Sequence, residues 1–352
     1  MLKRAKRIVV KVGSQLLSGA EGLNLEFIDE LSRQVAKLRE AGREVILVSS
    51  GAVLAGIKAL GLNRKPFSLA EKQALSAVGQ PYLMAEYRRA FNRFGLEVAQ
   101  VLLTAEDLRS KERFLNAKNT FEALLKFGVV PVVNENDTVS VEEIKIGDND
   151  NLSAHVAVLT DADLLVMLTV SNGIYDKDPR SNPDAKLVPV VERPEELFSS
   201  CDFSCKTSFG TGGMGTKVEA ASKAAKKGIP VIVAGGKEPD VLLRIVSGER
   251  VGTLFLPSKK LRAKTYRILY LMKPKGRLYV DEGAKRAVVE QGMSLLSKGV
   301  KRFEGQFEKG DAVEVCTLDG SVIGKGIVKC SSESLYDSKV CIHRDDFVLT
   351  GD

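Results

Sequence analysis

The sequence predicts an α/β protein, a three-layer αβα sandwich with a mainly parallel sheet, followed by a small β-rich C-terminal domain. Up to Pro257, short apolar runs rich in isoleucine and valine alternate with segments of helical periodicity. Beyond Pro257 the apolar runs are short and glycines separate them, which is typical of a small β-domain. We therefore divide the chain into a first domain of residues 1–257, a linker helix of residues 258–273 and a C-terminal domain of residues 274–352.

The elements of the first domain follow from local patterns. Residues 7–12 are rich in isoleucine and valine and are predicted as a strand. A helix is predicted between Asn24, a candidate N-cap, and Gly42, a typical helix stop, because apolar residues recur between them at helical spacing. Further buried strands are predicted at residues 44–48, 98–103, 129–133, 164–169 and 229–234. Ligands of such sheets bind beyond the carboxyl ends of the strands, so functional residues are expected there.

Two further regions have their own patterns. Alternating apolar residues over 138–146 predict a small antiparallel hairpin or flap beside a functional site. In the C-terminal domain, strands are predicted at residues 277–280, 312–316, 322–328 and 340–342.

Positive charge is unevenly placed along the chain. The net charge is +7; residues 257–352 carry 18 Lys and Arg against 13 Asp and Glu, whereas residues 1–256 carry 34 against 32. This excess favours an anionic partner for the C-terminal domain, with RNA as the candidate and a solvated basic surface as the alternative.

Composition limits the class of protein. Hydrophobic residues make up 44% and charged residues 28%, as in soluble globular proteins. No apolar run approaches the roughly 18–20 residues that cross a bilayer, and the N-terminus leads into a strand without a signal-peptide core. We expect a cytoplasmic protein without membrane contact.

The five cysteines lack metal-site spacing, so they predict reduced thiols, and no metal ligand is assigned.

Lys11 is a candidate catalytic residue because it lies inside the apolar strand 7–12. Burial of an unpaired ammonium costs several kcal/mol. Lys11 therefore either extends to the end of the strand or meets an anion, and Gly13 would let backbone amides approach that anion.

Three polar loops are candidate binding sites, and two of them follow predicted strands. Ser50 and Gly51 follow strand 44–48 in a turn of small residues whose backbone amides are exposed. Asn134 and Asp137 lie in the loop after strand 129–133. A third loop at residues 147–151 contains Asp148, Asn149 and Asp150. Each loop could be an ordinary turn, but two acidic loops close together in sequence indicate a site for a substrate ammonium or hydrated Mg²⁺.

A glycine-rich loop at residues 210–217 opens a predicted helix. It lacks the preceding apolar strand of a dinucleotide-binding loop and the Gly-Lys-Ser/Thr order of a P-loop. A glycine-rich turn at a helix N-terminus still favours phosphate binding through backbone amides and the helix dipole. Thr216 and Glu219 have capping-box spacing. Lys217 in the first turn is unfavourable for the helix itself, which suggests a functional lysine.

Two lysines are predicted to face a phosphate, and the sequence contains only two histidines, His155 and His343. This combination indicates phosphoryl transfer to an acceptor that is already ionised. An alcohol acceptor usually needs a general base, whereas a carboxylate needs none. His155 lies in an apolar helical stretch and is interpreted as structural.

Together these motifs resemble the amino-acid kinase family, and within it the branch that phosphorylates glutamate. The resemblance covers essentially the whole chain, at residues 9–14, 49–53, 77–80, 133–137, 147–150, 152–154 and 210–217. Residues 274–281 and 307–311 resemble a PUA domain, a module that binds RNA in other proteins.

The resemblance implies an amino-acid kinase fold and roles for named residues. Lys11 and Lys217 would stabilise the transferring phosphoryl group. The L-glutamate site would comprise Ser50, Gly51, Asn134, Asp137, Asp148, Asn149 and Asp150. The ATP site would comprise Lys11, Gly13, Ser14, Thr169, Val170, Thr211, Gly212, Gly213, Met214, Gly215, Thr216 and Lys217.

The resemblance also implies cofactors and partners. ATP with Mg²⁺ would phosphorylate the γ-carboxylate of glutamate, and the acyl phosphate would pass to a reductase in proline synthesis. Proline is expected as a feedback inhibitor at the glutamate site, and a homo-oligomer is expected.

One position departs from the family pattern. Similar kinases usually carry a Thr-Asp or Ser-Asp pair that organises the two lysines, and here the pair is Thr169-Val170. Asp148 or another carboxylate is expected to substitute, with Ser171 and Asn172 doing part of the work.

Two alternatives remain. The first is another kinase of this fold, acting on aspartate, N-acetylglutamate, carbamate or UMP; the acidic loops favour a substrate with an α-ammonium over UMP or N-acetylglutamate. The second is an RNA-binding protein with a degenerate kinase domain, which the basic C-terminal domain and Val170 would favour and the intact lysines oppose.

Overall fold

The computed structural model describes the chain except residues 20–21, 63, 65, 67, 141–148, 180, 201–212, 259–260 and 351–352. The chain forms two compact units, Met1–Lys260 and Leu261–Asp352. The division falls inside the predicted linker, whose helical part lies in the second unit. The hairpin predicted at residues 138–146 lies largely outside the described residues.

The described strands of the first unit form one sheet in the order β3-β4-β2-β1-β5-β7-β8-β6. Their bounds are β1 Arg7–Val12, β2 Glu44–Ser49, β3 Val98–Leu103, β4 Val130–Glu135, β5 Leu164–Thr169, β6 Val190–Val191, β7 Val231–Gly235 and β8 Thr253–Phe255. Pairing is parallel except between β7 and β8. The mainly parallel sheet and its central strands are confirmed. The short edge strands β6 and β8 gave no sequence signal, because two or three residues are too few to show a period.

Helices cover both faces of this sheet. Their bounds are α1 Leu25–Glu40, α2 Ala52–Ala59, α3 Leu69–Asn92, α4 Ala105–Arg109, α5 Lys111–Lys126, α6 Asn149–Leu159, α7 Pro194–Ser200, α8 Met214–Lys226 and α9 Val241–Ser247. The apolar sides of α1, α3 and α9 form one core with alternate residues of the central strands. Helices α5, α6 and α8 contact β4, β1 and β7. The structure is therefore the predicted three-layer sandwich.

Strand alternation decides which side of the sheet carries Lys11. Ile8, Val10 and Val12 of β1 belong to the core beneath α1 and α3. Successive side chains of a strand point to opposite faces. Lys11 therefore faces the layer that contains α6, where the carboxylate of Asp150 meets it.

Local signals set the ends of α1 as predicted. The side chain of Asn24 accepts a hydrogen bond from the backbone N–H of Phe27 and so caps the helix. Gly42, with φ of 75°, follows the helix in a conformation that favours glycine.

The second unit is built on a six-stranded sheet in the order β10-β14-β13-β12-β9-β11. Its elements are α10 Ala263–Tyr266, a π-helical turn Arg267–Leu271, β9 Pro274–Val280, α11 Glu282–Val289, β10 Leu295–Leu296, β11 Val300–Gly305, β12 Ala312–Thr317, β13 Val322–Val328 and β14 Val340–Leu349. Lys264 of α10 and Lys329 pair with the buried carboxylate of Asp346 at 2.5 and 2.7 Å. The linker helix is thus fixed to the β-rich body.

Within the part of the chain that the structure describes, no helix has the length and apolar character needed to cross a membrane.

The contact between α2 and α3 depends on glycine. A Cβ atom added to Gly79 would lie 1.8 Å from the carbonyl oxygen of Ala52, and one added to Gly56 would lie 2.0 Å from that of Leu75. Both obstacles are backbone atoms, which cannot turn aside. Only glycine therefore permits this close approach of the two helices.

We expect Gly79→Ala to destabilise the first unit by about 1–3 kcal/mol, the usual cost of forcing extra atoms into a packed contact. Urea denaturation followed by circular dichroism would measure it. Gly283→Ala on α11 is the control, because its Cβ would meet only the side-chain oxygen of Asp281, at 3.3 Å. An unchanged urea midpoint for Gly79→Ala would contradict the close packing.

Candidate active site

The predicted functional residues gather at the carboxyl edge of the first sheet. Strands β1, β2, β4 and β5 are neighbours and end at Val12, Ser49, Glu135 and Thr169. The first turn of α6 and the start of α8 reach the same edge, as the contacts of Asn149, Asp150 and Lys217 described below show. This is where ligands of parallel sheets bind.

Asp150 lies between the two predicted catalytic lysines. Its Oδ1 is 2.5 Å from Nζ of Lys11, and its Oδ2 is 3.0 Å from Nζ of Lys217. The side chain of Asp150 is 0% exposed, and those of Lys11 and Lys217 are 7% and 12% exposed. Thr216 also donates its hydroxyl to Oδ2 of Asp150, at 3.2 Å. One buried carboxylate thus holds two ammonium groups together.

The charge state of Asp150 follows from competing effects. Burial by itself raises the pKa of this carboxyl. The nearby charges and hydrogen bonds of Lys11 and Lys217 outweigh burial and hold the pKa of Asp150 well below its usual range. Asp150 is therefore ionised at physiological pH.

The sequence predicted Asp150 as a substrate-binding residue and gave the organisation of the lysines to Asp148 or another carboxylate. Contact of Asp150 with a substrate stays a prediction. Asp150 is fully buried and contacts both lysines, so it is the organising carboxylate. Asp148 lies outside the described residues. The hydroxyl of Ser171 donates to the carbonyl of Gly173 at 3.0 Å.

The helix carrying Lys217 begins earlier than predicted. Helix α8 starts at Met214, and its N-cap is Gly213, which offers no side-chain oxygen. The capping box predicted for Thr216 and Glu219 is wrong, because Thr216 lies inside the helix and donates to the carbonyl of Gly213 at 2.9 Å and to Asp150. Gly213 therefore gives the first backbone N–H groups of α8 no side-chain cap, and Gly215 lies in the same turn. Thr211 and Gly212 lie outside the described residues.

The other residues predicted for the nucleotide flank β1 and β5. The backbone N–H of Gly13 donates to the carbonyl of Leu168 at 3.2 Å, which continues the pairing of these strands to their ends. Ser14 follows Gly13. The carbonyl of Thr169 accepts from the N–H of Gly236 at 2.8 Å, and Val170 is 46% exposed at the same edge. The structure places all four residues at the ends of β1 and β5, and their contact with a nucleotide stays a prediction.

A second group of polar residues forms around Asn149. Three oxygens lie within hydrogen-bonding distance of its Nδ2: the carbonyl of Ser49 and Oγ of Ser50, both at 2.9 Å, and Oδ1 of Asn134 at 3.0 Å. The two protons of the amide are shared among them. Gly51, with φ of 105°, makes the turn that presents Ser50 and begins α2. Three loops predicted to bind the substrate therefore meet at one side-chain amide.

Asp137 lies in the loop after β4. Its Oδ2 accepts a hydrogen bond from the hydroxyl of Ser76 on α3, at 2.8 Å. Sequence reasoning did not single out Ser76, because one serine in a helix carries no signal of its own. The carboxylate of Asp137 is partly exposed, so it remains accessible to a ligand.

His155 lies in α6, and its role is consistent with the structural interpretation. Burial lowers the pKa of His155 to about 3, with smaller contributions from the charges of Lys223 and Arg109. A histidine that stays neutral and buried at physiological pH is poorly suited to proton transfer with a substrate.

Comparison with known proteins agrees with this architecture. The amino acid kinase family model matches residues 6–235, and the PUA domain model matches residues 276–343. A glutamate 5-kinase from Geobacter metallireducens is 49% identical over 94% of this chain and 89% of that protein. One from Thermus thermophilus is 50% identical over the same shares. A UMP kinase structure from Bacillus anthracis gives a TM-score of 0.51 at 17% identity, covering 73% of this chain and 98% of its own, which bears on the fold alone.

The fold and the paired lysines define a kinase, and the chain belongs to the amino acid kinase family, with a C-terminal PUA domain. Within that family it groups with the glutamate 5-kinases, since its curated relatives at about half identity carry that name over most of both chains.

Replacing Asp150 by Asn tests the charge that holds the lysines. Folding lowers the pKa of Asp150, so its stabilising contribution is complete above the ordinary carboxyl pKa of about 4 and is lost as pH falls through the lower folded value. We expect Asp150→Asn to reduce the free energy of unfolding by about 3–5 kcal/mol, because two buried ammonium groups lose their partner. Urea denaturation across a pH series would measure it.

The difference between the two proteins should be constant from about pH 5 to 8 and should shrink only below about pH 4. Asp161→Asn is the control, because Asp161 pairs with Lys118 at the surface, where ion pairs contribute little. A difference that already shrinks between pH 7 and 5 would contradict a lowered pKa for Asp150.

Proposed function

We propose that this protein transfers the γ-phosphoryl group of ATP to the γ-carboxylate of L-glutamate and forms γ-glutamyl phosphate. The observation that carries the proposal is the ionised Asp150 clamped between Lys11 and Lys217, beside a cluster of amide and hydroxyl groups at the same sheet edge. The names of its close relatives support glutamate as the acceptor.

The geometry suits an acceptor that is already ionised. A γ-carboxylate oxygen attacks the γ-phosphorus, an O–P bond forms, and the bond from that phosphorus to the oxygen bridging the β-phosphate breaks to release ADP. No proton is moved, so no general base is required. The buried, neutral His155 is consistent with this chemistry.

The lysines stabilise the negative charge of the transferring phosphoryl group. Asp150 neutralises one of the two ammonium charges and holds both at fixed positions, so a net positive charge faces the phosphoryl oxygens. Such prepositioned charges need no rearrangement when the reaction occurs, which is the main source of their catalytic effect.

The residues fit a nucleotide phosphate. The N-terminus of α8, whose N-cap Gly213 has no side-chain oxygen, presents backbone N–H groups and the positive end of the helix dipole, and Lys217 lies in its first turn. Across the described ranges, no three His, Cys, Asp or Glu side chains are grouped to bind a metal ion. Mg²⁺ would therefore be held chiefly by the nucleotide phosphates and water, as is usual for this ion.

ADP release from Mg-ATP tests the reaction, with glutamate, aspartate, N-acetylglutamate and UMP as separate acceptors. Hydroxylamine in the assay would trap an acyl phosphate as the hydroxamate. Turnover and hydroxamate with glutamate alone would support the proposal. Turnover with another acceptor would support a kinase activity and reject glutamate as its substrate. No turnover with any acceptor would favour a binding protein.

Lys217→Ala should lower kcat by about 10²–10³, the usual effect of losing one group that stabilises the transition state. The KM for glutamate should change little, because Lys217 contacts Asp150 and not the Asn149 cluster. Steady-state kinetics would measure both. Lys223→Ala is a matched control on α8, since Lys223 pairs with Asn151 and Glu219. A near-normal kcat in Lys217→Ala would remove Lys217 from the mechanism.

The acyl phosphate product would feed a reductase in the cytoplasmic synthesis of proline, and proline would act as a feedback inhibitor. Proline also carries a carboxylate and an ammonium group, so the protein groups that bind the α-carboxylate and α-ammonium of glutamate would also bind proline. We expect inhibition by proline to be competitive with glutamate and not with ATP. Inhibition that saturating glutamate does not relieve would place proline elsewhere.

We assign an RNA partner to the second unit on its match to the PUA domain. Binding of RNA should weaken as salt rises, because phosphate contacts release counterions. Filter binding of the full chain to short RNAs at two salt concentrations would measure this.

We also expect a homo-oligomer, which sedimentation would detect.

A further inference from the structure

Two cysteine thiols meet in the core of the second unit. Cys330 follows β13 and Cys341 lies in β14, and both belong to the buried apolar cluster of this unit. Cys330 is 5% exposed and Cys341 is 0% exposed. Both are free thiols, and a hydrogen bond joins one to the other. The two sulfur atoms are therefore neighbours inside the domain.

The backbone brings this pair together. The N–H of Lys329 donates to the carbonyl of Cys341 at 2.8 Å, which continues the antiparallel pairing of β13 and β14. A regular ladder would turn Cys330 to the opposite face from Cys341, but the chain bends at residues 329–330 and both side chains are buried. Paired strands lie about 4.8 Å apart, and a disulfide spans Cα atoms about 4.4–6.8 Å apart. A bond between the two sulfurs can therefore form without separation of the strands.

The segment between the two thiols is a short connection. Residues 331–339 join the end of β13 to β14, and Leu335 anchors them in the same buried cluster. Lys329, directly before the pair, contacts the carboxylate of Asp346 at 2.7 Å, and that carboxylate also holds α10. A covalent link between the thiols would close the base of this connection beside the ion pairs that fix α10.

The two sulfurs differ in their access to a reagent. Burial raises the pKa of Cys341, and the neighbouring thiol of Cys330 raises it further. Cys341 is therefore a protonated thiol at physiological pH. Cys330 lies at the bend where the connection begins and keeps a small exposed area, so a reagent reaches its sulfur first.

We propose that Cys330 and Cys341 form a redox modification site, at which a low-molecular-weight disulfide converts the two thiols to a disulfide. Cys330 loses its proton and attacks one sulfur of the reagent, whose S–S bond breaks and releases one thiol. Cys341 then loses its proton and attacks the sulfur of Cys330, which releases the second thiol. The protein gives up two protons and two electrons, and the reagent takes up both.

The disulfide stabilises the second unit. Closing the connection at residues 331–339 restricts the unfolded chain more than the folded one, in which the two sulfurs are already neighbours. The site lies apart from the lysine cluster in sequence and unit, so the inference does not depend on the proposed function.

Tryptic peptides report on the site directly. Trypsin cleaves after lysine and arginine, so it releases Cys330 in peptide 330–339 and Cys341 in peptide 340–344. The native full-length protein would be treated with 2-hydroxyethyl disulfide, its remaining thiols alkylated after unfolding, and the digest analysed by mass spectrometry without reduction.

We expect the two peptides to appear as one species that is lighter than their sum by two hydrogen atoms. Cys316, a buried thiol of β12, should be recovered in alkylated form. Full alkylation of Cys330 and Cys341, separate attachment of the reagent to each, or a link of either one to Cys316 would overturn the inference. A link that forms only in denaturant would overturn it as well.

Scanning calorimetry of the full chain tests the effect on stability. We expect oxidation to raise the melting temperature of the second unit by roughly 5–15 °C, the scale of closing a short loop in a domain of this size. Cys316→Ala, the matched control, should keep this shift, and Cys330→Ala should lose it. A linked wild-type protein with an unchanged melting temperature would overturn the stabilising role.

Discussion

The structure depends on one buried carboxylate that holds two ammonium groups. Lys11 would be costly inside the central strand of the sheet without an anion, and Lys217 is unfavourable in the first turns of its own helix. Asp150 offsets both costs at once, because each of its oxygens faces one lysine. Helix α6 must therefore cross the sheet with its first turn above β1, and α8 must begin beside it.

The net charge of Lys11, Lys217 and Asp150 explains why this cluster suits phosphoryl transfer. Two positive groups and one negative group leave the site positive, so the carboxylate organises the lysines without cancelling their field. An ion pair of one lysine and one carboxylate would hold its geometry but leave no net charge to stabilise a phosphoryl group. The cost of burying Asp150 is consistent with selection for a charged site and not for stability alone.

Local patterns predicted the strands that carry the site and the start of α1 at Asn24. An apolar run and an N-cap each depend only on residues that are close in sequence, so they can be read from the sequence alone. They also placed Lys11 in the first strand, Asn134 after the strand at residues 129–133 and Lys217 in the first turn of a helix, as the structure has them. They could not assign Asp150, because its partners are distant in sequence and only the packing of α6 against β1 and α8 brings them together. The Thr216 error has another cause: α8 begins at Met214 with Gly213 as its N-cap, so Thr216 lies inside the helix and cannot cap it.

Adjacent residues of α6 join the two halves of the site. Asn149 belongs to the amide cluster with Ser50 and Asn134, and Asp150 belongs to the lysine cluster. Because both lie in one helical turn, the backbone fixes the separation between the amide cluster and the lysine cluster. A substrate that contacts both clusters must span that separation with its own carbon chain. Under the proposed function, selection among acidic amino acids by chain length would follow from this fixed separation within one helix.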